Sequence, residues 1–110
     1  MELSAKKEQG VVVMSVKGRM DAVTAPEFEK GFDPYISGGD RKFVADLADL
    51  EYISSAGLRS ILSTAKKVKA VGGQVVFACL SGMVKEVFDI SGFGSMFEIY
   101  ASVKEAVSKL

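Results

Sequence analysis

The chain has 110 residues, 48% of them hydrophobic and 25% charged, a balance that allows one globular domain with a modest core and is that of a globular chain rather than a disordered one. Lys plus Arg and Asp plus Glu both number 14, so the formal net charge is zero and no electrostatic drive toward nucleic acid or membrane surfaces is expected. With no histidine, imidazole acid–base chemistry, a Ser-His-Asp triad and His-containing zinc sites are excluded.

The opening MELSAKKEQG lacks the apolar stretch of a signal peptide, and no run approaches the roughly 20 apolar residues of a membrane span. A cytoplasmic protein is therefore expected. Residues 2–7 are a candidate extra strand, and Val11, Val12, Val13, Met14 and Val16 form a β-rich run ending at Gly18. In VTAPEF, Thr24 and Glu27 have capping-box spacing, with Val23 and Phe28 placed as a hydrophobic staple. The helix so started should run towards residue 36, with a kink or early end forced by Gly31 and Pro34.

The GGD turn at 38–40 introduces KFVADL, a second strand. Leu58, Ile61, Leu62, Ala65 and Val68 then recur at helical spacing until Gly72-Gly73 stops the helix. QVVFACL reads as a third strand, and Ser81 can cap a short helix carrying Met83, Val84, Val87 and Phe88. SGFGS at 91–95 has neither dinucleotide-binding nor Walker spacing and reads as a loop before a fourth strand, MFEIY. Ser102 and Glu105 open a last helix with Val103, Ala106, Val107 and Leu110 on its apolar side. Strands alternating with helices predict an α/β sheet with crossover connections.

Cys79 lies in an apolar run without an intrachain partner and reads as a small buried hydrophobe. Asp46, in a strand, and Asp49, in a loop, lack a third convergent ligand for a metal.

The stretch YISSAGLR at 52–59 asks the functional question. With Ser54 as N-cap, Ile53 and Leu58 form the N′–N4 apolar pair of a staple; with Ser55 as cap, Arg59 would spoil it. Ser54 therefore caps, leaving the Ser55 hydroxyl free at a helix end that Ala56 and Gly57 keep low and open. Such an end favours anions, and a phosphate on Ser55 would add about −1.5 to −2 charges there. The residues alone fit both a phosphorylation switch and two serines that simply start a helix.

Four stretches in order, VKGRMDAVTAPEFE, FVADLADLEYISSAGLRSIL, GGQVVFACLSGMVKEVFDISGF and the final strand and helix, resemble a STAS domain of the anti-sigma factor antagonist type. The similarity spans nearly all of residues 11–110. It implies one STAS domain over residues 1–110, a small α/β fold whose mixed sheet is covered on one side by about four helices. It also implies no enzymatic activity and no cofactor. The implied partner is an anti-sigma factor that is also a serine kinase of the GHKL ATPase type, sequestered so that a sigma factor is released. That kinase would phosphorylate the antagonist and weaken binding, and a PP2C-type phosphatase would reverse it.

The family pattern Asp-Ser-(Ser, Thr or Ala)-Gly-Leu falls on Ser54, Ser55, Ala56, Gly57 and Leu58, making Ser55 the implied acceptor; the family's acid after the first strand falls on Asp21. Arg59 is a candidate phosphate neighbour or partner contact. The sequence departs from the pattern at Ser54, where regulated members usually carry Asp, which keeps a comparable N-cap but removes a charge. The alternative is a non-phosphorylated STAS scaffold in a sensory or signalling assembly. Direct contact with nucleic acid or membrane is not expected, and the isolated chain is expected to be a monomer.

Overall fold

The computed structural model describes residues Met1–Leu110. Glu2–Glu8 (β1) and Val11–Met20 (β2) form an antiparallel hairpin. Gln9 and Gly10 turn it with φ of 52° and 78°, the positive pair that a two-residue hairpin loop requires. The chain continues through Ala25–Ser37 (α1), Lys42–Ile53 (β3), Ser55–Ala70 (α2), Gln74–Ala78 (β4), Gly82–Ser91 (α3), Phe93–Met96 (α4), Ile99–Tyr100 (β5) and Val103–Lys109 (α5). The sheet order is β1-β2-β3-β4-β5. β2 through β5 are parallel neighbours, so the sheet is mixed, as expected.

Strand alternation sorts the apolar residues onto two faces. On one face Val12, Met14, Val16, Phe43, Leu47, Val75 and Phe77 meet Phe28 and Phe32 of α1, Ile61 and Val68 of α2, and Phe88 and Phe93 beyond. Phe77 sits with its ring 5.6 Å from Phe88 and 5.0 Å from Phe97, separations at which aromatic pairs attract beyond their area burial. On the other face Val11, Val13, Val44, Val76 and Ala78 pack against Ala106 and Val107 of α5. Four helices on one side therefore hold, while the fifth covers the opposite face. The consecutive buried residues of Val11–Met14 require cover on both faces.

Several local expectations change. Of the kink or early end expected in α1, the early end does not occur: the helix continues through Gly31 and Pro34 to Ser37. Val23 is 84% exposed, so it staples nothing. QVVFACL keeps strand geometry only to Ala78, because Cys79 adopts φ 66°. Cys79 is half-buried rather than fully so, with burial and then the Asp46 carboxylate pushing its thiol pKa up. The expected loop over SGFGS and strand over MFEIY become the single-turn α4 and a two-residue β5, since Phe93 is drawn into the core. Asp49 lies within β3, not in a loop.

Beyond Asp46, which pairs with the last residue of β4, β3 continues beside β2 alone as far as Met20↔Ile53. This two-stranded extension carries the turn into α1 and the start of α2.

Candidate functional site: the start of helix α2

Ser54 adopts extended backbone geometry, φ −95° and ψ 176°, and its Oγ accepts the Gly57 N–H at 3.2 Å. Its own N–H donates to the Met20 carbonyl at 2.9 Å, so the cap is anchored to the end of β2. Ile53 is buried and Leu58 packs against the same core, as the staple requires. Ser54 is thus the cap, and Ser55, the first residue of α2, is exposed.

The variants separate these two serines. Ser54→Ala should cost about 0.5–2 kcal/mol through loss of the cap, whereas Ser55→Ala should leave stability nearly unchanged. Urea unfolding of both checks this, and equal losses would contradict the register.

Gly57 corrects the expected open helix end. It is buried, and a Cβ there would stand 2.7 Å from Ile53 Cγ1 and 2.9 Å from the Met20 carbonyl oxygen. The glycine lets the first turn of α2 press onto the ends of β2 and β3. Ala56 is half-buried, while Arg59, one turn beyond Ser55, is exposed. Ala56 and Arg59 border a groove between α1 and α2 with Ala22 and Pro26. Farther along it Lys67 bridges Glu29 at 3.0 Å and Asp33 at 2.8 Å, and Asp33 raises the Lys67 pKa most.

Asp21 organises the neighbouring turn. Its Oδ1 accepts the Val23 and Thr24 N–H groups at 3.0 and 3.1 Å. Thr24 itself is already helical in φ and ψ and makes no side-chain cap bond, so the expected capping box is absent. Its hydroxyl instead donates to the Arg19 carbonyl at 2.8 Å and accepts the Asp21 N–H at 2.9 Å. The Thr24 amide lowers the Asp21 pKa most; partial burial opposes it, and the Val23 amide, the Thr24 hydroxyl and Arg19 add to the lowering.

A carboxylate with a depressed folded-state pKa stabilises above its unfolded pKa and loses that contribution as pH falls through the folded one. Asp21→Asn should therefore lower the melting temperature near pH 7, and the gap to wild type should close on acidification below the ordinary carboxylate range. A constant gap across paired thermal melts would contradict this role.

Two contributors were not singled out from the sequence. Ser60 is buried and donates to the Ala25 carbonyl at 2.8 Å, tying α2 to the first residue of α1. Arg19 places its guanidinium carbon 4.1 Å from the Tyr52 ring centroid. Serine at the i+3/i+4 seam of a helix is one available signal for the first. Nothing in the sequence pairs the second two.

The family model described as STAS domain matches residues 2–106. The chain belongs to the STAS domain family. Among relatives of this STAS protein, BtrV of Bordetella bronchiseptica, provisionally named an anti-sigma factor antagonist, is 38% identical over 108 residues, covering 98% of this chain and 92% of BtrV. The anti-sigma-B factor antagonist of Bacillus subtilis is 26% identical over 107 residues, covering 97% of each chain. SpoIIAA in its unphosphorylated form superposes with a TM-score of 0.82 at 21% identity, covering 98% of this chain and 95% of that one. At that identity the match shows the shared STAS fold. No helix is long and apolar enough to cross a membrane.

Proposed function

We propose that this STAS protein is an anti-sigma factor antagonist, a binding module whose grip on its partner is switched by phosphorylation at Ser55. The observation that carries the reading is an exposed serine at the first position of α2, beside a cap held by Ser54. The first-turn amides and helix dipole favour a phosphate there. Two relatives carry antagonist names, and SpoIIAA, which shares the fold, has been solved in a phosphorylated form; both support the reading.

In this account the surface around Ser55, with Asp21 holding the adjacent turn and Ala56, Leu58 and Arg59 on the first turns of α2, meets an anti-sigma factor that is also a GHKL-type serine kinase. Binding occupies the anti-sigma factor and releases the sigma factor. Phosphate transfer to Ser55 puts an approximately dianionic group into the contact and ends it; a PP2C-type phosphatase restores it.

The test is titration calorimetry of the unmodified chain against the GHKL-type anti-sigma factor from the same organism, with sigma release followed in parallel. Saturable binding that displaces the sigma factor is expected. Binding without displacement would overturn the antagonist role. One observation favours a second reading: Ser54 stands where regulated members usually carry Asp, so a scaffold that binds constitutively is the alternative.

A further inference from the structure

Past the end of β4, β2 and β3 form a two-stranded ribbon, and its ends face two ways. Met20 and Ile53 turn into the large core beneath α2. Arg19 and Tyr52, the cross-strand pair just before them, lie on the opposite face by strand alternation. The α5 face is built on Val11, Val13, Val44, Val76 and Ala78, nearer the other end of these strands. Arg19 is exposed and stacks on Tyr52 at 4.1 Å from the ring centroid. The ion pairs of the chain lie elsewhere, so this guanidinium makes no ion pair within the chain, although its charge helps to hold the Asp21 pKa down.

We propose that the Arg19–Tyr52 stack is a second part of the partner-binding face and takes a carboxylate side chain of the anti-sigma factor. The inference rests on the antagonist reading and extends it around the ribbon tip. A stable interface covers about 800 Å² on each partner, more than the first turn of one helix presents. Tyr52 is only three residues before Ser55, and the Ser54 N–H is bonded to Met20, next to Arg19. Tyr52 and Ser55 are thus separated by at most about 10 Å of extended chain, within the span of a partner patch of about 800 Å² laid around the ribbon tip. An arginine held on an aromatic ring is ordered before binding, and Arg and Tyr are enriched among residues that dominate interfaces. Its planar fork matches a carboxylate through two parallel hydrogen bonds.

The test is calorimetry and stopped-flow binding with the purified GHKL-type anti-sigma factor that binds the wild-type chain, at low and high salt. Arg19→Glu should weaken binding about 30-fold at low salt, with a smaller loss at high salt as charges are screened. Arg19→Lys, which keeps the charge but not the fork, should fall between. Tyr52→Phe, which keeps the ring, should bind as wild type. Thermal melts establish that each variant is folded. If wild type binds and folded Arg19→Glu binds within about twofold of it, with the same salt dependence, the second contact is wrong while the antagonist reading stands. If wild type does not bind the anti-sigma factor, the antagonist reading itself fails, and this inference with it.

Discussion

Gly57→Ala is expected to destabilise the domain by about 1–3 kcal/mol, the range for forcing a methyl group into packed structure. Intrinsic helix propensity alone would favour alanine over glycine by up to about 1 kcal/mol, so the sign of the effect is diagnostic. The steric cost wins because one of the atoms the new Cβ would meet, at 2.9 Å, is the Met20 carbonyl oxygen. That oxygen also accepts the Ser54 N–H and cannot move aside like a flexible side chain. Relief requires lifting the first turn of α2 away from β2, which disturbs the Gly57–Ser54 cap and the presentation of Ser55. Urea unfolding with hydrogen exchange at residues 54–58 should show lower stability and faster local exchange. A variant as stable as wild type would mean that the helix start is not seated on the strand ends.

If the proposed switch operates, phosphorylation of Ser55 is expected to weaken binding to the anti-sigma factor by about 100-fold or more, since burying a near-dianion in a contact made by a neutral hydroxyl costs several kcal/mol. The loss should arise in the interface and not in the fold. A phosphate at the start of α2 gains about 0.3–1 kcal/mol from the helix dipole, so the phosphorylated chain should melt at the same temperature or slightly higher. Ser55→Asp should weaken binding less than the phosphate, because one carboxylate carries a smaller charge and fewer acceptor oxygens. Ser55→Ala should bind like the unmodified chain and resist the switch. A phosphorylated chain that unfolds more readily, or binds unchanged, would contradict this account.

The start of α2 was legible because the staple admits only one register: Ile53 and Leu58 are apolar, whereas moving the cap by one residue puts Arg59 in the apolar position. The start of α1 was not. Asp21 and Thr24 are both competent caps, and sequence spacing cannot say which oxygen the turn will bring over the free amides. Asp21 Oδ1 takes two of them, leaving Val23 in solvent. Gly57 was visible as a small residue, but smallness permits either an open surface or a close approach. Only the fold shows that the approach is close, with a Cβ at Gly57 2.9 Å from the Met20 carbonyl oxygen.

The mixed sheet followed from alternating strands and helices, yet the side taken by α5 did not, because a short last helix after an edge strand can cross to either face. The continuous burial of Val11–Met14 held the clue that both faces needed cover. The Arg19–Tyr52 contact joins residues far apart in sequence across a ladder with register irregularities at Ser15/Lys17 and Gly18/Arg19. Strand pattern alone does not align them.

Whether Ser55 is the switch is tested most directly by incubating the chain with the GHKL-type kinase proposed as its partner and ATP, then locating the modification by intact-mass spectrometry and peptide mapping. The account predicts one phosphate, on Ser55 and not on Ser54, with calorimetry on the same sample showing the partner released. A kinase that binds the wild-type chain tightly and leaves it unmodified, or places the phosphate on Ser54, would contradict the switch.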